Sequence, residues 1–126
     1  MWFKNNRKLQ GTDHSKRLIM KVAFAAENNT LNSRIDSHFG RCAYFMIYDT
    51  NTGEYEFIEN PYREIKEQAG CEAVKLLQEK QVERIISSEI GEKVKILLKK
   101  LKIQIIIVVE TEKTLKDYIV LMRAKN

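Results

Sequence analysis

The chain has 126 residues, 44% of them apolar and 31% charged, with one proline, five glycines, two cysteines and a formal charge of +5. This make-up suits one globular domain whose core needs no disulfide staples, and it excludes low-complexity and collagen-like chains. Purely apolar runs such as Ile105–Val109 are far too short to span a bilayer, so no membrane partner is expected.

The charge is unevenly placed. Residues 1–19 hold five cations (Lys4, Arg7, Lys8, Lys16 and Arg17) against Asp13, which leaves only +1 over residues 20–126. Segment 1–18 is polar, basic and non-periodic, and reads as a poorly ordered extension ahead of a domain over 19–126. A surface that tracks phosphates would carry its charge within the folded domain, so nucleic acid is not an expected partner. No apolar stretch follows the charges of MWFKNNRKLQ, so a cytoplasmic location with reduced thiols is expected.

Leu18–Ala26 is a short apolar run and predicts a buried strand. A polar loop follows over 28–40. Ala43–Asp49 is aromatic and β-like, and Glu54–Glu59 alternates polar and apolar residues. The Thr50-Asn51-Thr52-Gly53 stretch between them predicts a hairpin. A helix is expected over about 70–81, with Ala73, Val74, Leu76 and Leu77 as its inward stripe. Val82–Ser88 is a fourth strand. Gly91 opens a second helix, in which Val94, Leu97, Leu98 and Leu101 fall at i, i+3, i+4 and i+7. Ile103–Val109 is a β-branched run of the kind covered on both faces of a sheet. Thr111 is placed to cap a last helix carrying Leu115, Ile119 and Met122.

The order β-β-β-α-β-α-β-α is a meander followed by right-handed βαβ crossovers. It predicts an α/β domain with a single mixed five-stranded sheet, order 3-2-1-4-5, flanked by helices. If strand four pairs parallel beside strand one, strands one, three, four and five end at one edge. Open α/β sheets bind ligands there, where connections diverge.

Two chemistry-bearing stretches then share that edge. IDSHFGRC (Ile35–Cys42) holds one of the two histidines and one of the two cysteines, and QAGCEA holds the other cysteine. Cys71 falls in the first turn of its helix, where unpaired N–H groups favour an anion. His38, Cys42 and Cys71 are three candidate metal donors, suited to iron, copper, zinc or metal–sulfur species. Three donors are fewer than a closed structural zinc site uses, and better suit a preformed cluster. Gly40 and Gly70 would let backbone approach a bulky ligand, and Arg41 would add charge. The plainer alternative makes the cysteines small core residues, His38 a loop hydrogen-bonder and Phe39 a core plug. Enzyme readings lack support: strands one and four carry no mid-strand acid, and no P-loop, G-x-G-x-x-G or G-x-S-x-G is present.

From Met20 to about Ala124 the chain resembles the dinitrogenase iron–molybdenum cofactor biosynthesis family, a nitrogenase accessory-factor domain with a ribonuclease H-like fold. The matching stretches, in order, are MKVAFAAE, Ser37–Arg41 (SHFGR), AYFMIYD, TGEYEFIENP, AGCEAVKLL and SSEIGEKV. The resemblance implies a small non-enzymatic protein that binds or carries iron–molybdenum cofactor, its precursors or a related metal–sulfur cluster. A cluster-donor or acceptor protein would be its partner. It also implies His38, Phe39, Gly40, Arg41, Ala69, Gly70 and Cys71 as the cluster-facing residues. Family members often have a Gly/His-rich segment before the first helix, where this chain reads REIKEQAGC. The alternative is a regulatory or protein-interaction module that keeps the fold without the ligand.

Overall fold

The structure, a computed structural model, describes residues 20–109 and 112–124. Extension 1–18, the Leu18–Ile19 start of the first apolar run and the Thr111 cap lie outside the described residues. The strands are β1 (Lys21–Ala26), β2 (Tyr44–Asp49), β3 (Tyr55–Glu59), β4 (Val82–Ser87) and β5 (Gln104–Ile107). The helices are α1 (Ala69–Glu79), α2 (Glu92–Leu101) and α3 (Leu115–Ala124), and Phe39–Arg41 forms one 3-10 turn.

The five strands make one sheet in the order β3-β2-β1-β4-β5, the order expected. The β1–β2 and β2–β3 pairs are antiparallel, with Ala23 opposite Ile47 and Ile47 opposite Glu56. The β1–β4 and β4–β5 pairs are parallel, with Ala23 beside Ile85 and Ile85 beside Ile105. The hairpin closes on Asp49, whose Oδ1 accepts the amides of Asn51 (2.8 Å) and Thr52 (3.2 Å). Gly53 supplies the left-handed residue of that turn at φ +82°.

Side-chain size sorts the helices onto two faces. On one face Ala23 and Ala25 of β1 meet Ala73, Val74 and Leu77 of α1, with Val94 and Leu98 of α2 beside them. Alanines in the central strand let two helices sit close to the sheet. On the other face the larger Phe24, Met46 and Tyr48 fill the space under the single helix α3, through Leu115 and Ile119. Each fully buried side chain of this size contributes about 1.5–3 kcal/mol by leaving water.

One expectation is corrected. β5 is the edge strand that the expected order makes it, but it is not covered on both faces: Ile106 and Ile107 are 37% and 45% exposed, and Val109 just beyond it 92%. A β-branched run fits either setting, because strand propensity does not report which neighbours a strand has.

The long loop after β1 is tied at both ends. Ser33 Oγ accepts the amides of Glu27 (3.1 Å) and Asn28 (2.9 Å). The carbonyls of Ser33 and Leu31 take the first amides of α3, those of Leu115 (2.9 Å) and Lys116 (3.0 Å). Thr114 and Asp117 complete that terminus with a reciprocal pair of side chain–backbone hydrogen bonds, a capping box. The loop is thereby anchored on one face of the sheet before residues 38–42 cross its carboxyl edge.

Candidate ligand cavity

A cavity of about 790 Å³ opens at the carboxyl edge of the sheet. All seven residues that the resemblance implies as cluster-facing line it, from the 38–41 turn on one side and residues 69–71 of α1 on the other. A third wall runs from residues 88–91, at the exit of β4, into the start of α2, whose Lys93, Val94 and Lys95 have no place in the sequence reading. The cavity's lining joins the connection after β1 (residues 38–41) to the exit of β4 (residues 88–91) and to Ile107 of β5.

Two glycines set how closely the walls approach. A Cβ on Gly40 would lie 2.5 Å from the amide nitrogen of Gly70, and a Cβ on Gly70 would lie 2.5 Å from Cγ2 of Val94. The sequence reading gave these glycines to close contact between backbone and ligand. The structure gives them to close contact between the three walls.

His38 is exposed at the rim. Its Nδ1 pairs with Ser37 Oγ at 2.9 Å and its amide donates to Asp36 Oδ1 at 2.9 Å, which leaves Nε2 as the ring nitrogen for a ligand. A hydrogen bond of this kind to one ring nitrogen orients the other. Cys71 is half-buried and free, in the first turn of α1. Neither α1 nor α2 has a side-chain cap at its N-terminus: Gln68 occupies the cap position of α1 in a left-handed conformation, and Gly91 that of α2. Two helix starts with uncapped amides therefore meet at one cavity and favour negative charge there, against the carboxylates of Glu67 and Glu89 in its lining and of Glu72 and Glu92 in the two first turns.

Phe39 lines the cavity but is 2% exposed, with its ring 5.4 Å from that of Phe45 in the core. Arg41 also lines it, yet its guanidinium is engaged elsewhere. Nη1 donates to the carbonyls of Arg63 (3.0 Å) and Ile65 (2.6 Å), and Nη2 to that of Lys66 (2.9 Å). Arg41 thus binds the 63–66 segment that leads into α1.

Cys42 does not join the donor set, and this expectation is corrected. The residue is fully buried in the core and does not line the cavity. Burial, with the charge of Asp36 adding to it, pushes the thiol up to about 12. A thiol held neutral among apolar side chains is a core residue, as the plainer alternative had it. Its backbone still matters, because buried Asn60 donates from Nδ2 to the carbonyls of Gly40 and Cys42, both at 3.0 Å. Asn60 also accepts the Tyr62 amide at 3.0 Å, and so couples the 40–42 turn to the segment after β3. Nothing in the sequence analysis gives Asn60 this role; an asparagine directly before the chain's one proline is the only local signal.

Among the described residues no group of three or more His, Cys, Asp or Glu side chains is gathered to hold a metal ion. None of their helices is long and apolar enough to cross a membrane.

Fold and cavity together define an α/β domain with a single mixed five-stranded sheet and a crevice at its carboxyl edge. The chain belongs to the dinitrogenase iron–molybdenum cofactor family, which matches residues 20–123. It is 36% identical over 90 residues to an uncharacterized protein of Methanocaldococcus jannaschii, across 69% of this chain and 73% of that one. A putative NifB protein from Thermotoga has a similar structure, with a TM-score of 0.69 at 27% identity over 85% of this chain and 89% of that one. The apo form of the orange protein from Desulfovibrio gigas shares the fold, with a TM-score of 0.77 at 21% identity over 85% and 89% of the two chains.

Proposed function

We propose that this protein binds or carries a metal–sulfur cluster as cargo: iron–molybdenum cofactor, one of its precursors or a related species. The observation that carries the reading is that His38 and Cys71, far apart in sequence, line one cavity into which two uncapped helix starts open. Membership of the family supports the same class of cargo.

In this reading His38 Nε2 and Cys71 Sγ are the direct donors. Two protein donors are too few to assemble a bare ion into a closed site, but they suffice to hold a cluster that arrives with its own sulfides. The amides at the starts of α1 and α2, with Lys93 and Lys95 at the rim, offset the negative charge of such a cluster. Arg41 and Asn60 hold the 38–42 turn and the 60–68 segment in place and do not act as ligands. The protein's part is reception and release, with no bond made or broken in the cluster.

The ligand-free alternative is favoured by a buried Cys71 and a His38 remote from any opening. Both residues line the cavity, which favours binding.

Anaerobic titration with tetrathiomolybdate, and separately with isolated iron–molybdenum cofactor, tests the proposal by visible absorption. A saturable one-to-one signal is expected, weakened about tenfold or more by His38→Ala or Cys71→Ala. No signal from the unaltered protein, or an undiminished one from the double variant, would falsify the assignment.

A further inference from the structure

We propose that the outward face of α2 is a docking surface for an acidic protein, placed so that the docked partner sits over the mouth of the cavity. The inference rests on the cargo reading for its purpose, but its evidence is separate.

Residues 92–102 carry Lys93, Lys95, Lys99, Lys100 and Lys102 against Glu92, a net charge of +4. The whole of 20–126 is only +1, so the rest of the domain is net acidic while this helix is net positive. All five lysines are exposed, and none forms an ion pair among the described residues. Lys99 and Lys100 sit in the last turn, where the helix dipole favours positive charge, but the other end is different. Lys93 and Lys95 lie next to the positive end of the helix dipole, and Lys95 and Lys99 repel each other at i, i+4. Lys93 and Lys95, exposed, unpaired among the described residues and set against the dipole, mark a positive surface suited to something outside the chain.

The centre of this face is apolar. Ile96 is 62% exposed and is surrounded by Lys93 at i−3, Lys99 at i+3, Lys100 at i+4 and its neighbour Lys95. Ile107, 45% exposed at the end of β5, lines the cavity together with Lys93 and Lys95. An apolar anchor within a charged rim is the usual anatomy of a protein contact. Nucleic acid fits less well, because α2 carries neither an arginine nor an aromatic ring for a base to stack on. A ten-residue helix is only about 15 Å long and offers less than the ~800 Å² per partner of a standard interface. The complex is therefore short-lived and salt-sensitive, as a hand-over requires.

The test uses the full chain, ¹⁵N-labelled and without cluster. It is titrated with a synthetic helical peptide bearing a leucine ringed by glutamates, with its lysine-for-glutamate counterpart, and with a single-stranded DNA oligonucleotide. The acidic peptide should shift the amides of 92–101 and Ile107, with binding that weakens as salt rises. Lys95→Glu/Lys99→Glu should abolish it. Ile96→Ala, which leaves every charge in place, should weaken it about fivefold. These side chains are exposed, so spectra unchanged outside α2 verify the fold. Three results overturn the proposal: equal affinity with Ile96→Ala, tighter binding of the oligonucleotide at the same residues, or the same shifts on raising protein concentration alone. The last would assign the face to a second copy, through the exposed Glu54, Glu56 and Glu59 along β3. Because no cluster is present, failure here and failure of the cargo titration are read separately.

Discussion

Gly40 and Gly70 stand back to back across the cavity floor, so close that a methyl group on Gly40 would sit 2.5 Å from the amide nitrogen of Gly70. The two glycines meet different obstacles: Gly40 faces backbone, while Gly70 faces the side chain of Val94. Gly40→Ala and Gly70→Ala should each lower stability by about 1–3 kcal/mol, the cost of overpacking. Val94→Ala should then restore part of the loss in Gly70→Ala and none in Gly40→Ala. Denaturant unfolding of the four variants measures this, and equal restoration of both would show that the obstacle at Gly40 also gives way.

The Arg41 guanidinium donates to three carbonyls of 63–66, which gives it a task that lysine cannot share. One ammonium cannot present a planar fork to three carbonyls within four residues of backbone. Arg41→Lys and Arg41→Ala are both expected to speed amide hydrogen exchange over residues 61–68 in the absence of any cluster. Stability should fall by about 1 kcal/mol, the net worth of a few partly exposed hydrogen bonds. An exchange pattern unchanged in both variants would return Arg41 to the role of a free surface cation.

The sheet order and the edge on which the cavity sits were legible in the sequence because they follow from few rules. Period-two and period-3.6 patterns set the element order, and the handedness of βαβ crossovers set the topology. That His38 and Cys71 share an edge follows from the same topology. The fate of individual polar groups was not legible. Nothing local to Arg41 says that its guanidinium turns to 63–66, and nothing local to Cys42 says that it joins the buried core with Asn60 bonded to its carbonyl. Likewise Lys93 and Lys95 join the site only because α2 starts beside α1, a packing relation set by Val94 against Gly70. Topology is a property of patterns, whereas a side chain's partner depends on distances that no pattern encodes.

Asn60 is buried and donates to two carbonyls that flank Arg41 in sequence, those of Gly40 and Cys42. Asn60→Ala leaves both without their donor, at a cost of about 1–3 kcal/mol. Asn60→Asp should be worse near neutral pH, because it turns a buried carboxylate toward two carbonyl oxygens. Burial there raises the new carboxyl group's folded pKa, so its penalty is smallest in acid and grows as pH rises. Unfolding of both variants at pH 4 and pH 7 checks the crossover; parallel deficits at the two pH values would mean that the side chain has swung out to solvent.

Cys42 supplies a pH dependence whose sign follows from its burial. The folded thiol is pushed from 9.0 up to about 12, chiefly by desolvation and then by the charge of Asp36. Below pH 9 the thiol is neutral in both folded and unfolded chains and contributes no slope. Between about pH 9 and 12 the unfolded chain has lost the proton while the folded chain keeps it, so stability falls as pH rises, by ~1.4 kcal/mol per pH unit. The clean measurement is the difference between the unaltered protein and Cys42→Ala, because lysine and tyrosine titrations common to both cancel. That difference should be constant from pH 6 to 8.5 and then shrink steadily toward pH 10.5. A constant difference throughout would place the thiol in contact with solvent or an ion, and would return Cys42 to the list of candidate donors beside His38 and Cys71.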